Sequence, residues 1–418
     1  MEDLIGQVRR WAERHGKNLE KPPAILLDMG VPGLALARHL GRRGVSLLGL
    51  DTKNNHWSHK SRYIDVISSL EMRDSNKLIG CIEAVHEHTG YKPVVFGLHD
   101  DYARTMARHA DELKNFCYLP LTDSDVMELL IDKDKTAEVC YKIGIATPLT
   151  VAVSQTRDIE HLNGHCRFPA IIKPVESRRW QTADAQKTLG GKKAVEVQDT
   201  EDLKRQYDKV AHLTPKVIVQ EVVPGPDSNL YYVVSYVDRK SRPIGFFVGQ
   251  KIRTFPPGFG RGCWVRSVTN ERVAELARQL IAETGYKGNI GVEFKYDERD
   301  DSYKLIEINC RFGLWDGFAE DCNVKVASSA YADLAGLPLP EASLQKSGAY
   351  WLNPESDVWA ARTYIRTGEL SALSWIRDYL RPHFSASFTW DDPMPGVVLW
   401  GELFASVFKR VGAKLTGH

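Results

Sequence analysis

The stretch that most constrains this chain is a pair of alternating runs joined by a polar turn. Asn289-Ile-Gly-Val-Glu-Phe-Lys-Tyr296 is followed by Asp297 to Ser302 (DERDDS), and Tyr303-Lys-Leu-Ile-Glu-Ile-Asn-Cys-Arg311 runs back. The pattern predicts an antiparallel hairpin with a side-chain period of two. That period puts Glu307, Asn309 and Arg311 on one face and Ile306, Ile308 and Cys310 on the other. Glu293 stands on the neighbouring strand. Two carboxylates and an amide oxygen are hard oxygen donors of the kind magnesium takes, with waters and substrate phosphates completing its shell. Arg311 can grip phosphate oxygens with a two-pronged guanidinium. The bland alternative is a solvated face of an edge hairpin, and the hairpin by itself leaves both readings open.

Elsewhere the chain alternates strand and helix. Ala24–Leu27 reads as an apolar strand, 28–33 as a turn, Leu34–Arg43 as a helix and Val45–Leu50 as a second strand ending at Asp51. Further strands near Tyr63–Ile67 and at Pro93–Gly97 flank a helix near Asn76–His88. Short apolar strands separated by helices predict a doubly wound parallel sheet. From about Asp132 the texture changes: a helix from Lys133 to Ile143 stops at Gly144 before Pro148, and Phe168–Pro174 is a strand. The polar segment 176–193 reads as a mobile loop, Thr200 caps a helix running to His212, and Val217–Gln220 is a strand. Glu271–Thr284 is an amphipathic helix whose Val273, Leu276, Ala277, Leu280 and Ile281 share a face.

Two lysines stand where isolated cations are unfavourable. Lys173 ends an apolar strand, and Lys133 opens a helix, where the macrodipole disfavours positive charge. A bound anionic phosphate explains both; ordinary snorkelling surface lysines are the alternative. The segment 251–266 (KIRTFPPGFGRGCWVR) reads as a Gly/Pro-rich loop that carries Lys251, Arg253 and Arg261. It is expected either to line an acceptor site, one arginine holding a substrate carboxylate, or to be a structural turn with solvated cations. His99, Asp100 and Asp101 follow a strand end, where doubly wound sheets place ligands, with helix capping as the plainer role. The aromatic stretch from about Glu341, with Trp351, Trp359, Trp375, Trp390 and Trp400, is expected to pack on the core or to form a substrate or homodimer surface.

Several classes are excluded or disfavoured. Lys and Arg number 55 against 54 Asp and Glu, so no nucleic-acid or membrane-surface partner is expected. No apolar run approaches a membrane span or a signal peptide's core. The seven cysteines are scattered without a C-x-x-C pair, which fits a reducing cytoplasm. The Gly30-x-x-Gly33 turn lacks the full dinucleotide fingerprint, and neither a G-x-x-x-x-G-K-[ST] loop nor a G-x-S-x-G turn is present.

The order of the pieces resembles the ATP-grasp superfamily. Asp132-Lys133 with Gly144, Phe168-Pro-Ala-Ile-Ile-Lys-Pro174, Val217-Ile-Val-Gln-Glu-Val-Val-Pro-Gly225, Gly291-Val-Glu-Phe294 and Leu305-Ile-Glu-Ile-Asn-Cys-Arg-Phe-Gly313 occur in the family's order. A narrower resemblance is to carbamoyl-phosphate-synthase-like predicted carboligases. It rests on Ala37–Val45 (ARHLGRRGV), Ser61–Tyr63, Lys251–Gly260 and Asp391–Pro395 (DDPMP). The resemblance implies an α/β fold, α+β in its later domains: a doubly wound parallel sheet over 1–124, ATP-grasp subdomains over 125–215 and 216–340 holding ATP between them, and a helical, aromatic extension over 341–418. It implies that Lys133 and Lys173 hold the ATP phosphates, that Gln220, Glu221, Val222 and Val223 meet the adenine, and that Asp227 reaches the ribose. Segment 176–193 takes the place of a phosphate-covering loop. Glu293, Glu307 and Asn309 match magnesium ligands, with manganese as the alternative ion, and Arg311 matches the arginine that contacts the transferred phosphoryl group. The implied reaction joins a small carboxylate to an amine through an acyl phosphate. Bicarbonate activation and a non-catalytic nucleotide-binding regulator are the alternatives.

Overall fold

The computed structural model describes residues 3–415, apart from 163, 176, 181, 191–193, 215, 259 and 342 and the side chains at 133, 134, 177, 178 and 407–415. The chain divides into two compact units, one of 1–127, 230–292 and 309–418, the other of 128–229 and 293–308.

The first unit opens with four short strands, β1 (Ala24–Leu27), β2 (Leu47–Asp51), β3 (Asp65–Ser68) and β4 (Val94–Gly97), all parallel in the order β3-β2-β1-β4. β1, β2 and β4 are buried along their whole length, the expected consequence of helices packing on both faces of a parallel sheet. The helix after β1 spans Gly30–Gly41, so it begins inside the stretch read as a turn. Gly30, at φ 53, makes the left-handed step that lets it start so early.

The family-like motifs of the two chain ends meet in this unit. Arg38 is buried and donates Nε to Asp392 Oδ2 at 2.9 Å, with NH2 on the carbonyls of Ser387 and Asp392. Ser61 Oγ donates to the same carboxylate at 2.8 Å and the Arg62 amide to its other oxygen at 3.0 Å. Alongside, Arg42 grips Asp391 through two bonds of 2.7 Å, and the Tyr63 hydroxyl adds a third. ARHLGRRGV, SRY and DDPMP are thus one structural clasp. It ties the last eighth of the chain to the first sheet.

The second unit is built on an antiparallel sheet of β5 (Thr150–Val153), β6 (Ala170–Pro174), β7 (Val195–Val197) and β8 (Val217–Glu221), ordered β5-β8-β6-β7. Ala170, Ile172, Val217 and Val219 face a core with Leu203, Tyr207 and Trp180. Segment 176–193 is not wholly a loop: its described part contains a helix, Ala183–Leu189. Thr182 caps that helix at the Ala185 amide, Gly190 closes it at φ 60, and Ala185 and Leu189, one turn apart, are buried. Only two apolar positions drive it, so polar composition hid it. Asp199, one residue before the expected Thr200, caps the helix Thr200–Val210.

The remaining strands are β9 (Leu230–Val237), β10 (Pro243–Phe255), β11 (Arg261–Ser267), the hairpin β12 (Gly288–Asp297) and β13 (Ser302–Asn309), β14 (Tyr350–Leu352) and β15 (Phe384–Ser385). In the first unit β9, β10, β11 and β14 pair antiparallel in sequence, and β15 joins β14 in parallel. Phe96, Tyr232, Phe247, Phe312, Trp315, Phe318 and Trp351 belong to one core that spans both sheets of this unit. The segment expected as a loop over 251–266 is mostly strand, with a turn between Phe255 and Arg261. Cations and glycines dominate it, a composition that by itself reads as a loop; of its charges Arg253 is neutralised by distant carboxylates, as described below. The aromatic C-terminal stretch contributes two strands to the sheet, and its Trp351 is buried.

Candidate active site

The hairpin β12–β13 forms where alternation placed it. Glu307 is exposed, Asn309 half-buried, and Ile308 and Cys310 between and beyond them buried. Glu293 is half-buried on β12. Among the described residues no trio of His, Cys, Asp and Glu could hold a metal by itself. Carboxylates and an amide oxygen are hard donors, the kind magnesium takes when waters and phosphate oxygens complete its shell.

Arg311 leaves the end of β13 with its guanidinium aimed. Its Nε donates to Asp100 Oδ1 at 2.5 Å, and its NH2 reaches Asp100 Oδ2 at 3.5 Å and Asn309 Oδ1 at 3.3 Å. Asp100 opens the helix Asp100–Arg108 just beyond β4, with His99 as N-cap. Burial pushes the Asp100 carboxyl up, but Arg311 more than offsets this and holds it below the usual carboxylate range. A Cβ on Gly291 would lie 1.8 Å from the Tyr232 hydroxyl, so only glycine lets the strands approach there.

In the second unit Lys173 and Gln220 share one sheet face, two strands meeting diagonally. Lys173 Nζ donates to Gln220 Oε1 at 2.5 Å, and Gln220 Nε2 donates to Thr150 Oγ1 at 2.9 Å. The Glu221 and Val222 amides bond to the carbonyls of Leu149 and Pro169. The Glu221 carboxylate is held by Arg299 NH2 at 2.7 Å, and Arg299 also grips the buried Asp297. Arg299, together with Lys304, holds Asp297 well below the usual range. Arg299 lay inside the polar turn DERDDS, whose charge pattern gave no sign of a specific partner. Asp227 begins a short turn, Asp227–Asn229. The Lys133 side chain lies outside the described residues.

The three cations of 251–266 diverge. Arg253 is 4% exposed and donates Nε to Asp357 Oδ1 at 2.9 Å and NH1 to Asp378 Oδ2 at 2.5 Å. Its guanidinium also lies over the Trp264 ring, and Trp375 Nε1 donates to Asp357 at 2.8 Å. Lys251 is buried, with Nζ on the Gly260 carbonyl at 3.3 Å. Arg261 is exposed. Asp357 and Asp378 were not legible as partners of Arg253, since they lie 104 and 125 residues from it.

No protein-family model matches the chain. Over 226 residues the chain is 30% identical to a D-aspartate ligase from Enterococcus faecium, a stretch covering 51% of this chain and 52% of that one. It is 26% identical over 208 residues to a D-alanine–D-alanine ligase from Saccharophagus degradans, covering 47% and 61%. The chain thus spans only about half to three-fifths of the length of these curated relatives. Among solved structures, an N5-carboxyaminoimidazole synthetase from Staphylococcus aureus complexed with ADP shares the fold, with a TM-score of 0.63 at 14% identity over 84% of this chain and 87% of that one. The relatives in sequence and the shared fold bear out the resemblance to the ATP-grasp superfamily that the order of the site elements carries.

Proposed function

We propose that the protein is an ADP-forming carboxylate–amine ligase that takes ATP, a small carboxylate and an amine. The observation that carries this reading is a single strand end: β13 bears Glu307 and Asn309, and Arg311 follows with its guanidinium already fixed by Asp100. Two relatives named as ligases of amino acids support the class. Lys133 and Lys173 hold the ATP phosphates, Gln220 to Val223 the adenine and Asp227 the ribose. A carboxylate oxygen attacks the γ-phosphorus and ADP leaves; the amine then attacks the acyl carbon and phosphate leaves. Arg311 offsets charge on the transferred group during both steps. Magnesium or manganese, held by Glu293, Glu307 and Asn309, supplies charge neutralisation at the phosphates when bound. Of the cations on β10 and β11, Arg261 faces the substrate carboxylate, while Arg253 and Lys251 act by fixing the hairpin that carries it. Residues 176–193 cover the phosphates and keep water from the acyl phosphate. The four-part domain division at 124, 215 and 340 belongs to this reading.

A cytoplasmic site of action fits the seven unpaired cysteines. Among the described residues no helix is long and apolar enough to cross a membrane. A homodimer is proposed through the C-terminal helix Met394–Leu415, which leaves Met394, Val397 and Phe404 exposed on one helix face; sedimentation equilibrium tests it.

The activity is tested by incubating the protein with ATP and magnesium chloride plus pools of D- and L-amino acids, other carboxylates with amines, or bicarbonate. Phosphate release and product mass are read. Release with an amide product in an amino-acid or carboxylate–amine pool is expected. Release with bicarbonate alone overturns the reading in favour of carboxylation, and ATP binding with no release in any pool points to a regulator.

A further inference from the structure

The turn that carries Arg311 is fixed from beneath by two buried polar side chains outside the site described above. Asn289, fully buried on β12, donates Nδ2 to the Arg311 carbonyl at 2.9 Å. Its own backbone is pinned: its amide donates to the Pro120 carbonyl at 3.3 Å, and Tyr286 Oη donates to its carbonyl at 2.7 Å. Asp316, 1% exposed, accepts the Gly313 amide on Oδ2 at 2.6 Å. Between these two anchors Phe312 is fully buried, edge-on to Phe96 at 5.0 Å. Asp316 opens the helix Asp316–Asp321, itself fixed because a Cβ on Gly317 would meet Ala35 Cβ at 2.3 Å. The Asn289 amide also lies beside the Asp316 carboxyl.

Apolar residues could fill two buried positions at lower desolvation cost. Polar ones stand here, each bonded to a backbone group on one side of Arg311 or the other. We propose that Asn289 and Asp316 are positioning residues that lock the Arg311–Gly313 backbone and so set the direction of the Arg311 guanidinium. Asp100 then needs to hold only the tip. The inference rests on the reading that Arg311 meets the transferred phosphoryl group, and the test separates the two.

The probe is the Arg311 Nε–H resonance of the full chain in heteronuclear NMR, assigned by its loss in Arg311→Lys. In the wild type it is expected away from the solvent-exposed arginines and slow to exchange. Asn289→Ala and Asp316→Ala are expected to move it into their envelope and to speed its exchange about tenfold, the effect of one lost hydrogen bond. Asp316→Asn, whose amide oxygen still accepts the Gly313 N–H, is expected to keep the wild-type signal. Should the alanine variants not fold, Asn289→Asp carries the test, being isosteric but unable, when ionised, to donate to the Arg311 carbonyl. A wild-type signal in the folded Asn289 and Asp316 variants overturns the positioning role. Separately, addition of magnesium chloride and a non-hydrolysable ATP analogue is expected to shift the Arg311 signal. No shift, with the analogue bound, overturns the phosphoryl reading and leaves the frame standing.

Discussion

Arg311 and Asp100 are 211 positions apart in the chain, yet the Arg311 Nε–H and Asp100 Oδ1 are 2.5 Å apart. The contact joins the end of β13 to the carboxyl edge of the first parallel sheet, where doubly wound folds place ligands. Against the opposing effect of burial, it also holds the Asp100 carboxyl below the usual carboxylate range.

Removing that charge should loosen the guanidinium without unfolding the protein. Asp100 is 48% exposed at its side chain, so the pair contributes little to stability. Asp100→Asn is expected to lower kcat roughly tenfold while leaving the KM for ATP nearly unchanged, the signature of an interaction that matters chiefly in the transition state. Steady-state ADP release measures both constants.

Glu307→Gln keeps the shape of a proposed metal ligand and removes its charge. Turnover should fall by at least about a hundredfold, with partial recovery at high magnesium. Lys173→Ala is expected to abolish turnover as well, with ATP affinity falling and no magnesium rescue. Titration of ATP by calorimetry across magnesium concentrations distinguishes the two, and full activity in either variant refutes its assignment.

Arg253 has two carboxylate partners in the protein interior. Arg253→Met leaves Asp357 buried without its cation and should lower stability by about 3–5 kcal/mol. Nucleotide binding per folded molecule should be unchanged, and adding Asp357→Asn should recover part of the loss. Urea midpoints of the single and double variants report this. A stable Arg253→Met with lost activity would instead mean direct substrate contact.

Stability should depend on pH through Asp316 and Asp321. Burial, outweighing the Gly313 amide and Arg311, pushes the Asp316 carboxyl up to about 7. Burial, outweighing Arg42, pushes the Asp321 carboxyl up to about 7. Both keep their protons in the fold at pH values where the unfolded chain has lost them. The native state then binds more protons, so stability falls as pH rises from about 4 to about 7 and levels above that. For the fully buried Asp316 the loss is on the order of 4 kcal/mol. Asp316→Asn is expected to remove its share; urea midpoints at pH 5 and pH 8 that differ as much in Asp316→Asn as in the wild type would refute this.

Much of the candidate site was legible in order and type. β13 and the helix Glu271–Thr284 fell where periodicity put them, because one buried face and one exposed face write themselves into alternate or 3.6-spaced residues. Segments whose structure depends on few apolar residues were not legible. Ala185 and Leu189 sustain a helix within a run that composition alone assigns to a loop. Arg253 sits buried in a strand because Asp357 and Asp378 absorb its charge, and no local pattern announces partners of that kind.

By itself the sequence determined which segments alternate and in what order Lys133, Lys173 and the strand bearing Glu307 and Asn309 follow one another. These properties are local, since they depend on neighbours within a few residues. The tertiary structure alone decided which charges are committed. It gave Arg253 to Asp357, 104 residues on, Arg38 to Asp392, 354 residues on, and Arg311 to Asp100. Burial makes an unpaired charge costly, so these cations pair with a carboxylate wherever the fold brings one, and chain separation carries no information about where that is.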